Sequence, residues 1–365
     1  MLKTIYMFCL CIVFSILFFN CVNLFSKVGF LEKENNENQL MSTYKKKLEQ
    51  GLALFNNKKI LHTSPHPDDV TLGYLPYITW LLKNSNNEHC FLTMTSGSNA
   101  VRNHDLLSIL SNIEKNILEN KKNKPLEDRI FNNIVNLNDG LQQKQLILNR
   151  IRDLRKDLGL NLDNLDLKIL KGVIREFEEE SVWSYFGIQK ENIIHFRSNF
   201  YLYNTDGFSV DIKNFYELLL KIDPDIVTLA IDPKGIGPLT HYKTFVVIQK
   251  ALQMFYEKTG KNIKIIGYRN VWQQFEPNEA NIFFPVYQAD FNLLNEIFLN
   301  CYKTQVDAMF PNSNYKGNFS DITIQIIKEN LKKIEPFIFE YLGNDIKGIC
   351  FLKKMNIKQI LNFSL

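Results

Sequence analysis

KILHTSPHPDDVTLG, residues Lys59 to Gly73, is the stretch from which the rest of the chain can be read. Ile60 and Leu61 close a short apolar run of the kind that forms a buried strand. Ser64, Pro65 and Pro67 stop that strand, and Thr71 to Leu82 then reads as a helix. Between strand and helix sit His66, Asp68 and Asp69, three side chains able to hold a metal or move a proton. Pro67 fixes its own φ and biases His66 toward extended geometry, so the turn is restrained before any ligand arrives. Loops at the carboxyl ends of parallel strands are where α/β sheets place their chemistry.

A neutral imidazole and a carboxylate suit zinc, and a catalytic zinc takes three protein ligands with one position left for water. His66 and Asp69 are two candidate ligands. Asp68, pointing elsewhere in an irregular turn, is the candidate proton acceptor for the attacking water. The same residues also have a purely structural use, because an Asp at such a turn can cap the helix that follows. Further along, Asp232 to His241 repeats the arrangement: the buried strand Ile226 to Ile231, a Pro- and Gly-rich loop, then a helix. That places His241 on the same edge of the sheet as His66.

Outward from these two loops, apolar strands alternate with helical periodicity. Cys90 to Thr95, Ile193 to Phe196 and Ile263 to Tyr268 read as strands. Helices are expected over Ile174 to Phe186, around Ile212 to Leu219, and over His241 to Phe255, Asp290 to Thr304 and Ile322 to Tyr341. The fold class expected is α/β: a Rossmann-like, doubly wound, mostly parallel sheet, in one domain with insertions. Leu106 to Ile117 is an amphipathic helix, and Lys121 to Asp166 reads as a charged insertion with helical pieces. Residues 27–57 read as a polar tether carrying one short helix around Tyr44 to Leu54, residues 58–342 as the catalytic body, and 343–365 as a tail without a motif.

SPHPDD between a strand and a helix resembles the metal-binding signature of the LmbE/PIG-L superfamily of zinc-dependent N-deacetylases, which act on N-acetylglucosaminyl compounds. The similarity continues through TSGSNAV (Thr95 to Val101), IREFEEESVWSYFGI (Ile174 to Ile188), DPKGIGPLTHYKTF (Asp232 to Phe245) and GYRNVWQQFEPNEANIFFPV (Gly267 to Val286). The set is most similar to the deacetylase-like domain of glucosamine-6-phosphate deaminase-like proteins. It implies an LmbE-like fold, one Zn2+ per chain held by His66, Asp69 and His241, Asp68 as general base, and an amino-sugar small molecule or glycoconjugate as substrate. Asn99, Arg269 and Trp272 are the candidate substrate contacts, with Arg102 and Arg175 behind them, since Arg recognises anions and Trp stacks on sugar faces. The chain departs from the family pattern at three positions. Val70 stands where an acid usually follows HPDD, Pro238 where a second histidine is common, and Leu239 where the closer group carries Asp. Who assists the leaving group is therefore open, with His62, His104 and Lys243 as candidates. The alternatives are de-N-acetylation of N-acetylglucosaminyl-phosphatidylinositol at a membrane, or a metal-containing glycan-binding protein with impaired turnover.

Composition bounds the rest. Lys+Arg 43 against Asp+Glu 39 over 365 residues gives a net charge of +4, with no basic run interleaved with aromatics, so no nucleic-acid partner is expected. Ile5 to Val22 is an apolar run of about bilayer-spanning length, so residues 1–26 read as a signal peptide or membrane anchor. The expected location is then membrane-anchored or exported. Of the 6 cysteines, Cys90, Cys301 and Cys350 are spread through the body at spacings that suit neither a disulfide framework nor a zinc site.

Overall fold

The computed structural model describes residues 37–364, apart from 139, 141, 142, 163, 206, 307–317 and 344. A first helix, α1, covers residues 37–52. There follow β1 (Lys59–Ser64), α2 (Asp69–Asn84), β2 (Glu88–Thr93), α3 (Asn103–Glu119), α4 (Pro125–Leu137), α5 (Lys144–Gly159), α6 (Leu165–Tyr185) and β3 (Ile193–His195). The second half runs α7 (Asn199–Leu202), α8 (Ser209–Ile222), β4 (Ile226–Ala230), α9 (Leu239–Thr259), β5 (Lys264–Tyr268), β6 (Ile282–Tyr287) and α10 (Gln288–Cys301). It closes with α11 (Phe319–Leu342), β7 (Ile346–Asn356) and α12 (Ile357–Leu361).

The strands form one sheet in the order β3-β2-β1-β4-β5-β7-β6. The first five are parallel, and β7 joins β5 and β6 antiparallel. Chain order runs outward from β1 in one direction through β2 and β3, and in the other through β4 and β5. The crevice between β1 and β4 is therefore the topological switch point, where open α/β sheets bind ligands. β1 and β4 are buried almost throughout because helices cover both faces of the sheet. On one face α8, α9 and α12 pack with Phe215, Phe245, Leu252 and Ile360 inward. On the other, α2, α10 and the start of α11 pack around Tyr77, Leu294 and Ile324. The insertion α3–α5 builds its own apolar cluster against α6, through Leu110, Ile134, Ile151 and Ile174.

Three expectations change. Residues 37–57 are not a free tether: α1 buries Tyr44 and Leu48 in the core, and a Cβ at Gly51 would lie 2.0 Å from the Phe283 carbonyl oxygen. The stretch after residue 342 is not a tail, because β7 sits inside the sheet and α12 closes over β5. Its apolar run Ile349 to Leu352 is flanked by Lys347, Lys353 and Lys354, which interrupt the apolar pattern, and its burial comes from pairing with β5 and β6. The membrane location is also corrected. Among the described residues no helix is long and apolar enough to cross a membrane, and residues 1–26, on which that expectation rested, lie outside the described residues. Cys90, Cys301 and Cys350 are free thiols.

Candidate metal centre and catalytic cavity

The turn after β1 is fastened from several sides. Tyr302 donates its hydroxyl to Pro67 O at 2.7 Å, and the Thr95 amide and hydroxyl donate to Pro65 O at 3.0 and 2.7 Å. Asp69 Oδ2 accepts the His66 amide at 2.7 Å. Asp68 stands at the N-cap of α2 but makes no side-chain cap bond, so the capping use of this Asp is not realised.

His66 Nδ1, Asp69 Oδ2 and His241 Nε2 form a nearly equilateral triangle. Its sides are 3.1 Å between the histidines, 3.2 Å from His66 to Asp69 and 3.3 Å from His241 to Asp69. A tetrahedron built on zinc–nitrogen and zinc–oxygen bonds of about 2.0–2.2 Å has edges of roughly 3.3–3.6 Å. The donor set therefore fits one small divalent ion in both chemistry and span, and it is the group of His, Cys, Asp and Glu with metal-ligand spacing found among the described residues. Each histidine is oriented from its far nitrogen. His241 Nδ1–H donates to Asp232 Oδ2 at 2.8 Å, and His66 Nε2–H donates to Thr240 Oγ1 at 3.0 Å, which leaves both lone pairs facing the centre. Asp232 is itself held by the Asn270 amide at 2.8 Å and the Asn270 side chain at 3.1 Å.

Without an ion, charge redistributes inside this set. Burial opposes a charge on His241, but Asp69 and Asp232 outweigh it and raise its pKa to about 10. Burial likewise opposes the Asp69 carboxylate, yet His241 and His66 hold it well below the usual carboxylate range. A proton on His241 thus supplies the positive charge that a cation between these residues would replace.

Asp68 turns away from the triangle toward α6. Its Oδ1 accepts from Arg175 Nη2 at 3.1 Å. Arg175 is 1% exposed and donates through Nη1 to Glu178 at 2.7 Å, while Glu178 accepts the Thr304 amide at 2.7 Å. The Tyr302 ring lies under the guanidinium, 5.6 Å from centroid to Cζ. Arg175, read from sequence as a possible substrate contact, is in this arrangement the fixed counter-ion of Asp68.

A cavity of about 420 Å3 opens over these residues. Asn99 and Trp272 line it, together with Tyr201, Gln305 and an apolar rim of Leu72, Leu239 and Val271. Arg269 does not. Its guanidinium donates to Ile231 O, Gln274 O and Glu279 and lies 4.4 Å over the Phe275 ring, tying the β4 and β5 loops together. Arg102 pairs with Asp105 on α3, away from the cavity. The three leaving-group candidates fall outside the lining as well. His62 is buried on β1 against Tyr74, His104 projects from α3, and Lys243 lies near the Phe200 and Phe208 rings. Val70 is buried in the core, so that departure does not touch the site, whereas Pro238 and Leu239 both form its wall. The roles of Asp232 and Glu178 were not read from the sequence, and Thr240, which reads there as the cap of the following helix, instead faces His66 inside a helix capped at Pro238. The available signal for Asp232 was an acid directly after a buried strand and nine positions before His241.

No family model matches the chain, and no curated protein matches it. Solved structures are similar at low identity. The N,N'-diacetylchitobiose deacetylase of Pyrococcus horikoshii is 16% identical, with 82% of this chain and 84% of that one covered and a TM-score of 0.42. The 4-carboxy-2-hydroxymuconate hydratase GalB of Pseudomonas putida is 9% identical, with 82% and 96% covered and a TM-score of 0.42. The A40926 pseudoaglycone deacetylase is 13% identical, with 82% and 97% covered and a TM-score of 0.41.

Proposed function

We propose that this chain is a metal-dependent amide hydrolase of the LmbE/PIG-L type, removing the N-acetyl group from an N-acetylglucosamine-type amino sugar. The observation that carries the reading is the donor triangle of His66, Asp69 and His241 beside an Asp68 that is turned away from it and paired with buried Arg175. These three side chains would hold one zinc ion, which supplies Lewis acidity toward an amide carbonyl and lowers the pKa of water toward ~7.

The chain's own residues do the rest. Asp68, oriented by its ion pair with Arg175, takes a proton from the attacking water as general base. Because the position of a second histidine is Pro238 and none of the sequence candidates lines the cavity, the proton carried by Asp68 is the one delivered to the departing amine. Asp232 and Thr240 hold the two imidazoles in one tautomer throughout. Asn99 offers a hydrogen-bonding group and Trp272 a flat face at the cavity wall for the sugar. The products are acetate and a free amine.

The sugar class rests on the motif resemblance, and it is tested by measuring metal content and acetate release on the purified full chain against a panel of N-acetylglucosamine compounds. About one zinc per chain with acetate release from one compound class is the expected result. Zinc without acetate would make the protein a metal-containing glycan binder instead, and absence of zinc from the wild type would overturn the site.

A further inference from the structure

A second cavity, of about 320 Å3, meets the first at Tyr201. Tyr201 lines both cavities, with its ring centroid 6.4 Å from that of His66 and its hydroxyl accepting the Asn99 amide at 3.2 Å. The wall of the second cavity is built rather than incidental. Glu176, 1% exposed, accepts from Arg197 Nε at 2.6 Å and Nη2 at 2.7 Å, and from Arg129 Nη2 at 3.2 Å. Arg197 has a φ of 54°, a left-handed conformation that L side chains rarely adopt. The bidentate pair with a buried carboxylate holds it there.

Around this space several polar groups have no protein partner among the described residues: Ser96 Oγ, the Asn136 amide, Asn133 Oδ1 and Arg197 Nη1. The charges behind them are already spent, since Arg129 is shared between Glu176 and Glu180 and Arg197 is committed to Glu176. What remains is a set of neutral donors and acceptors with one guanidinium edge, flanked by the Tyr201 and Tyr203 rings. That chemistry suits the hydroxyls and flat face of a hexopyranose better than an anion. Asn133, Asn136 and Leu137 come from α4, so the helical insertion supplies one wall of this cavity and α6 another.

We propose that the second cavity is a subsite for a neighbouring hexose, and that the substrate carries at least two linked sugars. This rests on the reading of the first cavity as the site of deacylation. The probes are N-acetylglucosamine and its β-1,4-linked disaccharide. The wild type should favour the disaccharide in kcat/KM by at least about tenfold, an increment of about 1.4 kcal/mol. Asn136→Trp, which fills the cavity from an exposed position on α4, should bring that ratio to near one, and Tyr203→Ala should lower it. A ratio near one in the wild type, or one unmoved by Asn136→Trp, would overturn the subsite. Calorimetry of both sugars on the Asp68→Asn chain reads binding without turnover. A disaccharide preference in binding that Asn136→Trp removes supports the subsite even if the wild type releases no acetate, in which case the hydrolase reading alone fails.

Discussion

Asp68 and Asp69 are neighbours with the same chemistry, and their surroundings divide the labour. Asp69 faces two imidazoles at 3.2 and 3.3 Å, while Asp68 faces a buried guanidinium at 3.1 Å. Replacing Asp68 by Asn keeps the volume and removes the base, so acetate release should fall by about 10²–10⁴-fold while zinc content stays at the wild-type value. Zinc measured by mass spectrometry beside an acetate assay checks both halves; normal activity in Asp68→Asn would refute the assignment. Asp232 acts at one remove, because it touches His241 and not the centre of the triangle. Asp232→Ala frees the imidazole to rotate and leaves its Nδ1–H without an acceptor. Zinc affinity should fall about 10–100-fold, read by competition with a chromophoric chelator. At this scale His66, Asp68 and Asp69 stood out because three such side chains meet within four positions, whereas His241 was marked as a ligand only by the resemblance of its loop. Asp232 was not legible, since an acid at a strand end is common and only the folded chain shows which histidine it faces. Arg175 was legible as an arginine but not as the partner of Asp68, because that pairing depends on where α6 crosses the first turn.

Helix α2 shows how an element can be announced by sequence and still hide its shape. The chain reads as one helix through Leu82, yet Tyr74 departs from helical geometry at φ −162°, ψ 32°. Pro76 lies two residues further on; it has no N–H to offer the preceding turn, and its ring crowds that turn. The kink aims the Tyr74 hydroxyl at His62 Nδ1, 2.9 Å away, and at Thr228 Oγ1, 2.7 Å away. It also brings Gly73 against the Tyr268 ring, where a Cβ would lie 2.6 Å from Cδ2. Tyr268 is wholly buried and donates to Thr63 O at 2.8 Å, so its ring cannot retreat without losing that bond. In a helix Ala is normally favoured over Gly by roughly 1 kcal/mol. Here overpacking should win, and Gly73→Ala should destabilise the protein by about 1–3 kcal/mol, seen as a lower urea midpoint. A midpoint equal to or above wild type would mean that this corner of the core has room to relax. The strands and helices of the parallel half were readable because each is a long apolar or amphipathic run. β6 and β7 were not, because their short runs gain their burial only by pairing antiparallel with each other beside β5.

On the scale of the whole molecule, the alternation of strands and helices foretold a parallel sheet, but not its order or where β7 enters it. Pairings between distant segments are set by packing across the sheet, and one such pairing makes global stability depend on pH. His62 on β1 and His89 on β2 stack at 5.2 Å, with His62 Nε2 2.9 Å from His89 Nδ1. The Tyr74 hydroxyl donates to Thr228, so it accepts from His62 Nδ1–H, and His62 Nε2 must accept from His89. A second proton on His62 would face the His89 N–H. Burial, and then His89, hold the His62 pKa well below its ordinary value, and burial lowers that of His89 to about 4. Both rings are therefore neutral in the fold, while in the unfolded chain they take up protons below about pH 6.5. The stability they confer is fully present above that pH and is lost as pH falls toward their folded values. His195, raised to about 9 by Glu179 and Glu180 against the effect of burial, and His241, raised to about 10, are protonated in the folded state below pH 6 and largely so in the unfolded chain. They change little in that window. In the chelator-treated chain the unfolding free energy should drop by about 2 kcal/mol between pH 6 and pH 5, approaching two protons per unit of pH. His89→Gln should remove about half of that slope, measured from urea midpoints at each pH. A midpoint that does not move between pH 6 and pH 5 would mean that the pair already accepts a proton in the folded state, and the hydrogen-bond directions assigned from Tyr74 would then be reversed.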